Sequence, residues 1–247
     1  MAQRRRGPFG DRPVRRIELD PGAGLDPDAW PMTVPAVAQL ARAGLDLGPA
    51  TVLVGENGSG KSTLVEAVAA AFGINPEGGS VNARHSSRVS ESPLHEAVRL
   101  VREVGGARWG YFLRAETMHG LYTYLEELYE SPDGHLHEIS HGESFLDVVA
   151  RRFRGPGLYL LDEPESALSF SGCLALVGAL HDLVGSGAQV IVATHSPVVA
   201  ALPGATILEL DEQGWHQAQW PELALVDHHR RFLADPMRYL RHVVAED

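Results

Sequence analysis

The apolar, β-branched run Thr51-Val52-Leu53-Val54 feeds into Gly55-Glu56-Asn57-Gly58-Ser59-Gly60-Lys61-Ser62, and Leu64, Val65, Val68 and Ala69 follow at helical spacing. Strand, glycine loop and helix in that order make a phosphate-binding loop, which commits the chain to a layered α/β fold. The glycines let the backbone curl so that its N–H groups point inward at an anion. Lys61 then reaches the β- and γ-phosphates of a nucleoside triphosphate, and the Ser62 hydroxyl is placed for Mg²⁺. Lys61 is also the only lysine, beside twenty arginines. An ammonium is a compact point charge that suits a tight backbone cradle where a planar guanidinium does not. Gly55, Glu56, Asn57, Gly58, Ser59, Gly60, Lys61, Ser62 and Thr63 are the expected nucleotide-binding set.

Phosphoryl transfer needs charge neutralisation and a positioned water, so a carboxylate site is expected at the end of a second buried strand. Leu158-Tyr159-Leu160-Leu161 is an unbroken apolar run of the kind that fills a central parallel sheet, and Asp162 closes it. Asp162 is expected to support Mg²⁺, and Glu163 to polarise the attacking water. Val190-Ile191-Val192-Ala193 is a second such run, and His195 follows it closely enough to stand beside the nucleotide. Lys61, Glu163 and His195 are the catalytic candidates. His135, His137 and His141 are close in sequence but lack the carboxylate or cysteine spacing of a zinc site.

At 247 residues and 44% hydrophobic, the chain can bury one sizeable α/β core. Residues 1–13 read as a disordered tail and 14–220 as the ATPase domain. A helical insertion is expected at about 93–153, including a helix from Pro93 to Val104, and a helical segment at 221–247. The formal charge of −11 opposes indiscriminate nucleic-acid binding, which needs a concentrated basic surface. No apolar run is long enough to span a membrane, no secretory signal is evident, and a single cysteine, Cys173, suits a reducing compartment. A cytoplasmic protein without membrane insertion is the expectation.

These residues carry a family resemblance. Asp162-Glu163-Pro164-Glu165-Ser166-Ala167-Leu168-Ser169 resembles the Walker B and D-loop run of ATP-binding-cassette (ABC) ATPases, and Thr194-His195-Ser196 resembles their switch histidine. Ser140-His141-Gly142-Glu143-Ser144 resembles a variant of the ABC signature. The order and spacing cover about residues 50–200. They are similar above all to the soluble branch with SMC, RecF and RecN proteins, and to small bacterial ATPases grouped under the AAA label. The resemblance implies a P-loop NTPase fold with a mostly parallel central sheet flanked by helices and a small helical subdomain. It implies ATP and Mg²⁺ as ligands. It further implies that Ser140, Gly142 and Glu143 meet the γ-phosphate of ATP held by a second protomer, so that ATP joins two copies and hydrolysis parts them. Departures are visible too. Where the family places a glutamine, this chain has Arg114-Ala115-Glu116, so either Glu116 is the third metal contact, with Ser62 and Asp162, or Arg114 takes the glutamine's place, or the role is absent. His141 and Ser169 also depart from the pattern, and Trp30 is the one guess at an adenine-stacking aromatic.

The leading expectation is a soluble ATPase whose ATP-dependent homodimer acts as a switch or clamp, with a protein effector as a further partner. The alternatives are the nucleotide-binding subunit of an ABC transporter and a non-hydrolysing ATP sensor. The Arg114–Glu116 departure and the Ser-x-Gly-Glu signature weigh against the transporter.

Overall fold

The computed structural model describes residues 12–76, 78–80, 94–114 and 141–244, with backbone alone for 141–144. In chain order the elements are β1 (Arg16–Leu19), α1 (Pro35–Ala43), β2 (Leu45–Asp46), β3 (Ala50–Gly55), α2 (Lys61–Phe72), β4 (Gly79–Ser80), α3 (Leu94–Ala97), β5 (Val98–Val101) and β6 (Gly110–Arg114). After the undescribed stretch come α4 (His141–Arg152), β7 (Leu158–Asp162), a 3-10 turn (Pro164–Ala167), α5 (Phe170–Gly185), β8 (Gln189–Thr194) and α6 (Pro197–Ala200). The hairpin β9 (Thr206–Asp211) and β10 (Gly214–Ala218) leads to α7 (Ala224–Ala234) and α8 (Met237–Leu240).

Seven strands form one sheet in the order β10-β9-β3-β8-β7-β6-β4. The five central strands are parallel, and the edge strands β4 and β10 run antiparallel to their neighbours. Strands covered on both faces have no solvent side to give to polar residues, which is why β3, β7 and β8 read as continuous apolar runs. Alternate residues feed separate layers. Leu53, Leu160 and Ile191 meet Leu64, Val65 and Val68 of α2 and Leu40 of α1 on one face. Val52, Val54, Leu161 and Val192 meet Leu176 and Leu180 of α5 and Phe145 of α4 on the other. A small antiparallel sheet, β2-β1-β5, lies with the α2 side of the core.

Two expectations are corrected. Helix does not run from Pro93 to Val104: one turn, α3, gives way to β5, which pairs with β1 through Leu19↔Val98 to Arg16↔Val101. Val98 is buried and Arg99 exposed, the alternation of a strand, and the free edge of β1 supplies the hydrogen bonds that a second helical turn would otherwise make. The expected helical insertion is therefore partly strand, and its stretch at 115–140 lies outside the described residues. The tail also ends earlier than residue 13. The Arg12 guanidinium donates to Glu103 (3.1 and 2.9 Å) and to the Leu47 carbonyl (2.8 Å), and Pro13 is buried. Residues 1–11 lie outside the described set.

Gln189, fully buried at the start of β8, ties this N-terminal segment to the sheet. Its side chain accepts from Val14 N (2.9 Å) and donates to the carbonyls of Val14 and Gly48 (2.6 and 3.0 Å), so the amide acts as a piece of strand where β1 has none.

Candidate functional site

The parallel register brings the ends of β3, β7 and β8 to one edge of the sheet: Val54 sits opposite Thr194, and Asp162 opposite Ala193. Gly55–Lys61, Asp162-Glu163 and His195 meet there, though they are spread over more than half the chain. The loop between β3 and α2 turns through Gly58 (φ 81°) and Gly60 (φ 98°), left-handed conformations that a side chain resists. Gly55 is bare for a different reason, since a Cβ there would lie 2.5 Å from the Leu210 carbonyl oxygen of β9. α2 then begins at Lys61, so its unpaired N-terminal amides and positive dipole end face the loop.

Lys61 is 4% exposed, and its Nζ donates to the carbonyls of Gly55 and Glu56, both at 2.9 Å. Burial pushes the ammonium's pKa below its usual value, opposed by the nearby charges of Glu163, Asp162 and Glu165. Ser62 Oγ donates to Asp162 Oδ1 at 3.0 Å. Asp162 is itself buried, which pushes its pKa up to about 6, while the Arg114 guanidinium and the Ser62 hydroxyl pull it down. The site thus holds a desolvated cation and a desolvated carboxylate, the pair that a triphosphate and its divalent ion would engage.

Glu163 is the one residue other than glycine with positive φ among the described residues (φ 48°, ψ 49°). That conformation costs about 1–3 kcal/mol in a residue with a Cβ and persists only where surroundings impose it. Here Glu163 N donates to the Ala193 carbonyl (2.9 Å) and Ser166 Oγ to the Glu163 carbonyl (2.9 Å), which fixes the turn between them. The carboxylate is turned toward His195, whose Nε2 lies 3.2 Å from Oε1, without the alignment of a hydrogen bond. Glu165, which sequence reasoning did not single out, accepts from the His195 backbone N–H and so secures the histidine's loop.

Whether the residues suit a triphosphate and its divalent ion can be judged on the site's own atoms. The buried Ser59 hydroxyl has no hydrogen-bond partner, a donor at the loop that a phosphate oxygen would satisfy. No three His, Cys, Asp or Glu side chains cluster as a protein cage for a metal among the described residues. A hydroxyl and one carboxylate are what Mg²⁺ takes from a protein when phosphates and waters complete its shell. Both groups fit. Thr63 lies in the first turn of α2. Gly142 and Glu143 fall in α4, whereas Ser140 and Glu116 lie outside the described residues.

The sequence reading left one position open and missed one feature. Arg114, at the end of β6 beside Asp162 in the sheet, pairs with Glu66 of α2 and approaches Asp162. A cavity of about 1020 Å³ opens from Gly55–Ser59 and His195 toward β9, with Leu225, His228, Phe232 and Tyr239 of the C-terminal helices on its far side. Trp30 is 57% exposed and does not line that cavity, though nearby Val34 packs where a Cβ on Gly60 would fall.

The chain is similar to known ATP-binding proteins. The profile of the ABC transporter family matches residues 41–166. An uncharacterized ABC transporter ATP-binding protein of Haemophilus influenzae is 28% identical over 200 residues, 71% of this chain and 75% of that protein. The cytochrome c biogenesis ATP-binding export protein CcmA of Rhodospirillum rubrum is 32% identical over 182 residues, 66% and 75% of the two chains. The SMC head domain from Thermotoga maritima aligns over 84% of this chain and 99% of that one, at 17% identity and a TM-score of 0.48.

Proposed function

The chain belongs to the ABC transporter family of ATP-binding domains and is an ATPase, and from that premise we propose that it works as an ATP-driven homodimeric switch or clamp of the soluble, SMC- and RecF-like kind. The observation that supports this best is the convergence of Lys61, Ser62, Asp162, Glu163 and His195 at one sheet edge beside the glycine loop. Lys61 and the amides of residues 58–63 hold the phosphates, and Ser62 and Asp162 hold Mg²⁺. The metal, when bound, neutralises charge on the β- and γ-phosphate oxygens. Glu163 orients and polarises the attacking water, and His195 senses the γ-phosphate from the neighbouring strand. Gly142 and Glu143, with Ser140 before them, would meet the ATP of the second copy at the start of α4. Residues 14–220 form the ATPase unit in this reading, and 221–247 a helical appendage. A cytoplasmic setting and a protein effector complete it.

Glu163→Gln is expected to lower turnover by about 10²–10⁴ while keeping ATP bound, and so to hold a dimer. Phosphate release and light scattering after gel filtration with ATP read both parts. Normal hydrolysis, or a monomer that carries ATP, would overturn the proposal.

A second reading rests on the relatives, among them an ATP-binding export protein and a zinc import ATP-binding protein. In it, this ATPase drives transport through membrane helices of another chain, since no helix of the described residues is long and apolar enough to cross a membrane. Retention of the Glu163→Gln form on washed membranes, lost on adding a chelator, would favour it over the clamp.

A further inference from the structure

Asp162 is approached from two sides. Ser62 Oγ occupies Oδ1 at 3.0 Å, and Arg114 Nε lies 3.5 Å from Oδ2. The backbone enforces the second contact, because Arg114 and Asp162 are in-register neighbours on β6 and β7. The other end of the guanidinium is held by Glu66, with Nη1 2.6 Å from Oε1 and both side chains about three-quarters buried. Glu66 stands one helical turn after Ser62, on the same face of α2. The carboxylate assigned to the metal therefore already has a cation beside it, and that cation is itself tethered by a second carboxylate.

Resting on the assignment of Asp162 to Mg²⁺, we infer that Arg114 is a positioning residue that shares Asp162 with the divalent ion, and that Glu66 sets how much of Asp162 it takes. Two effects of Arg114 oppose each other. It orients the carboxylate before the metal arrives, and its charge repels a second cation. Repulsion wins, because the Ser62 bond orients Asp162 without help, whereas a like charge within a few ångströms in a poorly solvated pocket weighs more than one hydrogen bond. Glu66 draws the guanidinium toward α2 and so frees Asp162. Without Glu66, the pull toward α2 is lost and Arg114 is freer to close on Asp162.

The test reads nucleotide binding rather than turnover. A fluorescent ATP analogue at fixed concentration is titrated with Mg²⁺ for the wild type, Arg114→Gln, Glu66→Gln and the double variant. Arg114→Gln is expected to lower the half-saturating Mg²⁺ by about tenfold, and Glu66→Gln to raise it by about threefold. In the Arg114→Gln background, Glu66→Gln should shift it by less than about twofold, because Glu66 acts through the arginine. No change or a rise in Arg114→Gln overturns the inference. So does a Glu66→Gln effect of equal size in both backgrounds, which would be Glu66 attracting Mg²⁺ directly. Should Arg114→Gln not fold, Arg114→Met, which keeps the packing of the side chain and removes its charge, takes its place in both comparisons. Failure of the underlying assignment looks different: the wild type itself would bind the analogue equally with Mg²⁺ and with a chelator.

Discussion

Asp162 sets function against stability at a single side chain. Burial raises its pKa to about 6, so between the ordinary carboxylate range and pH 6 the folded chain binds more protons than the unfolded one. The sign follows. Asp162 destabilises the fold progressively as pH climbs toward 6, remains costly above it, and is harmless near pH 4. In EDTA, Asp162→Asn should therefore be more stable than the wild type by about 3 kcal/mol at pH 7.5, with the gap closing by pH 4. Urea denaturation at the two pH values checks this, and an asparagine variant no more stable at pH 7.5 would contradict it. Asp162, Glu163 and His195 were legible because each follows an apolar run at a strand end, where chain order and register coincide. The left-handed backbone of Glu163 was not legible, since it is imposed by bonds to Ala193 and Ser166 rather than by its own residue type.

Among the elements, those set by local pattern were readable and those set by a distant edge were not. β3, α2, β7 and β8 carry their periodicity in their own residues. β5 is a strand because β1, some 80 residues earlier, offers it an edge, and the apolar content of 93–104 alone suits either form. The break between α7 and α8 was local. Asp235 precedes a proline and takes a non-helical conformation (φ −153°, ψ 87°), since the proline ring disfavours the α region for the residue before it. Gln189 is the opposite case: nothing nearby announces that its amide completes the pairing of Val14 and Gly48. Gln189→Leu would leave those backbone groups buried and unpaired, and should lower unfolding free energy by about 3 kcal/mol. A loss under about 1 kcal/mol in urea would mean that water replaces the amide.

Over the whole molecule, the loop strand β3 lies between β8 and β9, and its last residue, Gly55, is paired with Leu210. The fold class was legible because a phosphate loop with two later apolar strands admits few sheet arrangements. The cavity beside the loop was not, because its far wall comes from the C-terminal helices, which carry no motif. A chain cut after Ala205 keeps Lys61, Ser62, Asp162, Glu163 and His195, yet it loses β9 and should bind no nucleotide. Retained binding in a fluorescence titration would show that β8 alone supports the loop.

The same strand order reaches back to synthesis. On the ribosome the segment destined to grip phosphate emerges well before its flanking partners at 189–194 and 206–211. Until those partners emerge the apolar run 50–54 has neither neighbouring strand to pair with, an exposure that invites chaperones or self-association. Nucleotide capture by the nascent chain would mark the moment at which translation has passed residue 211.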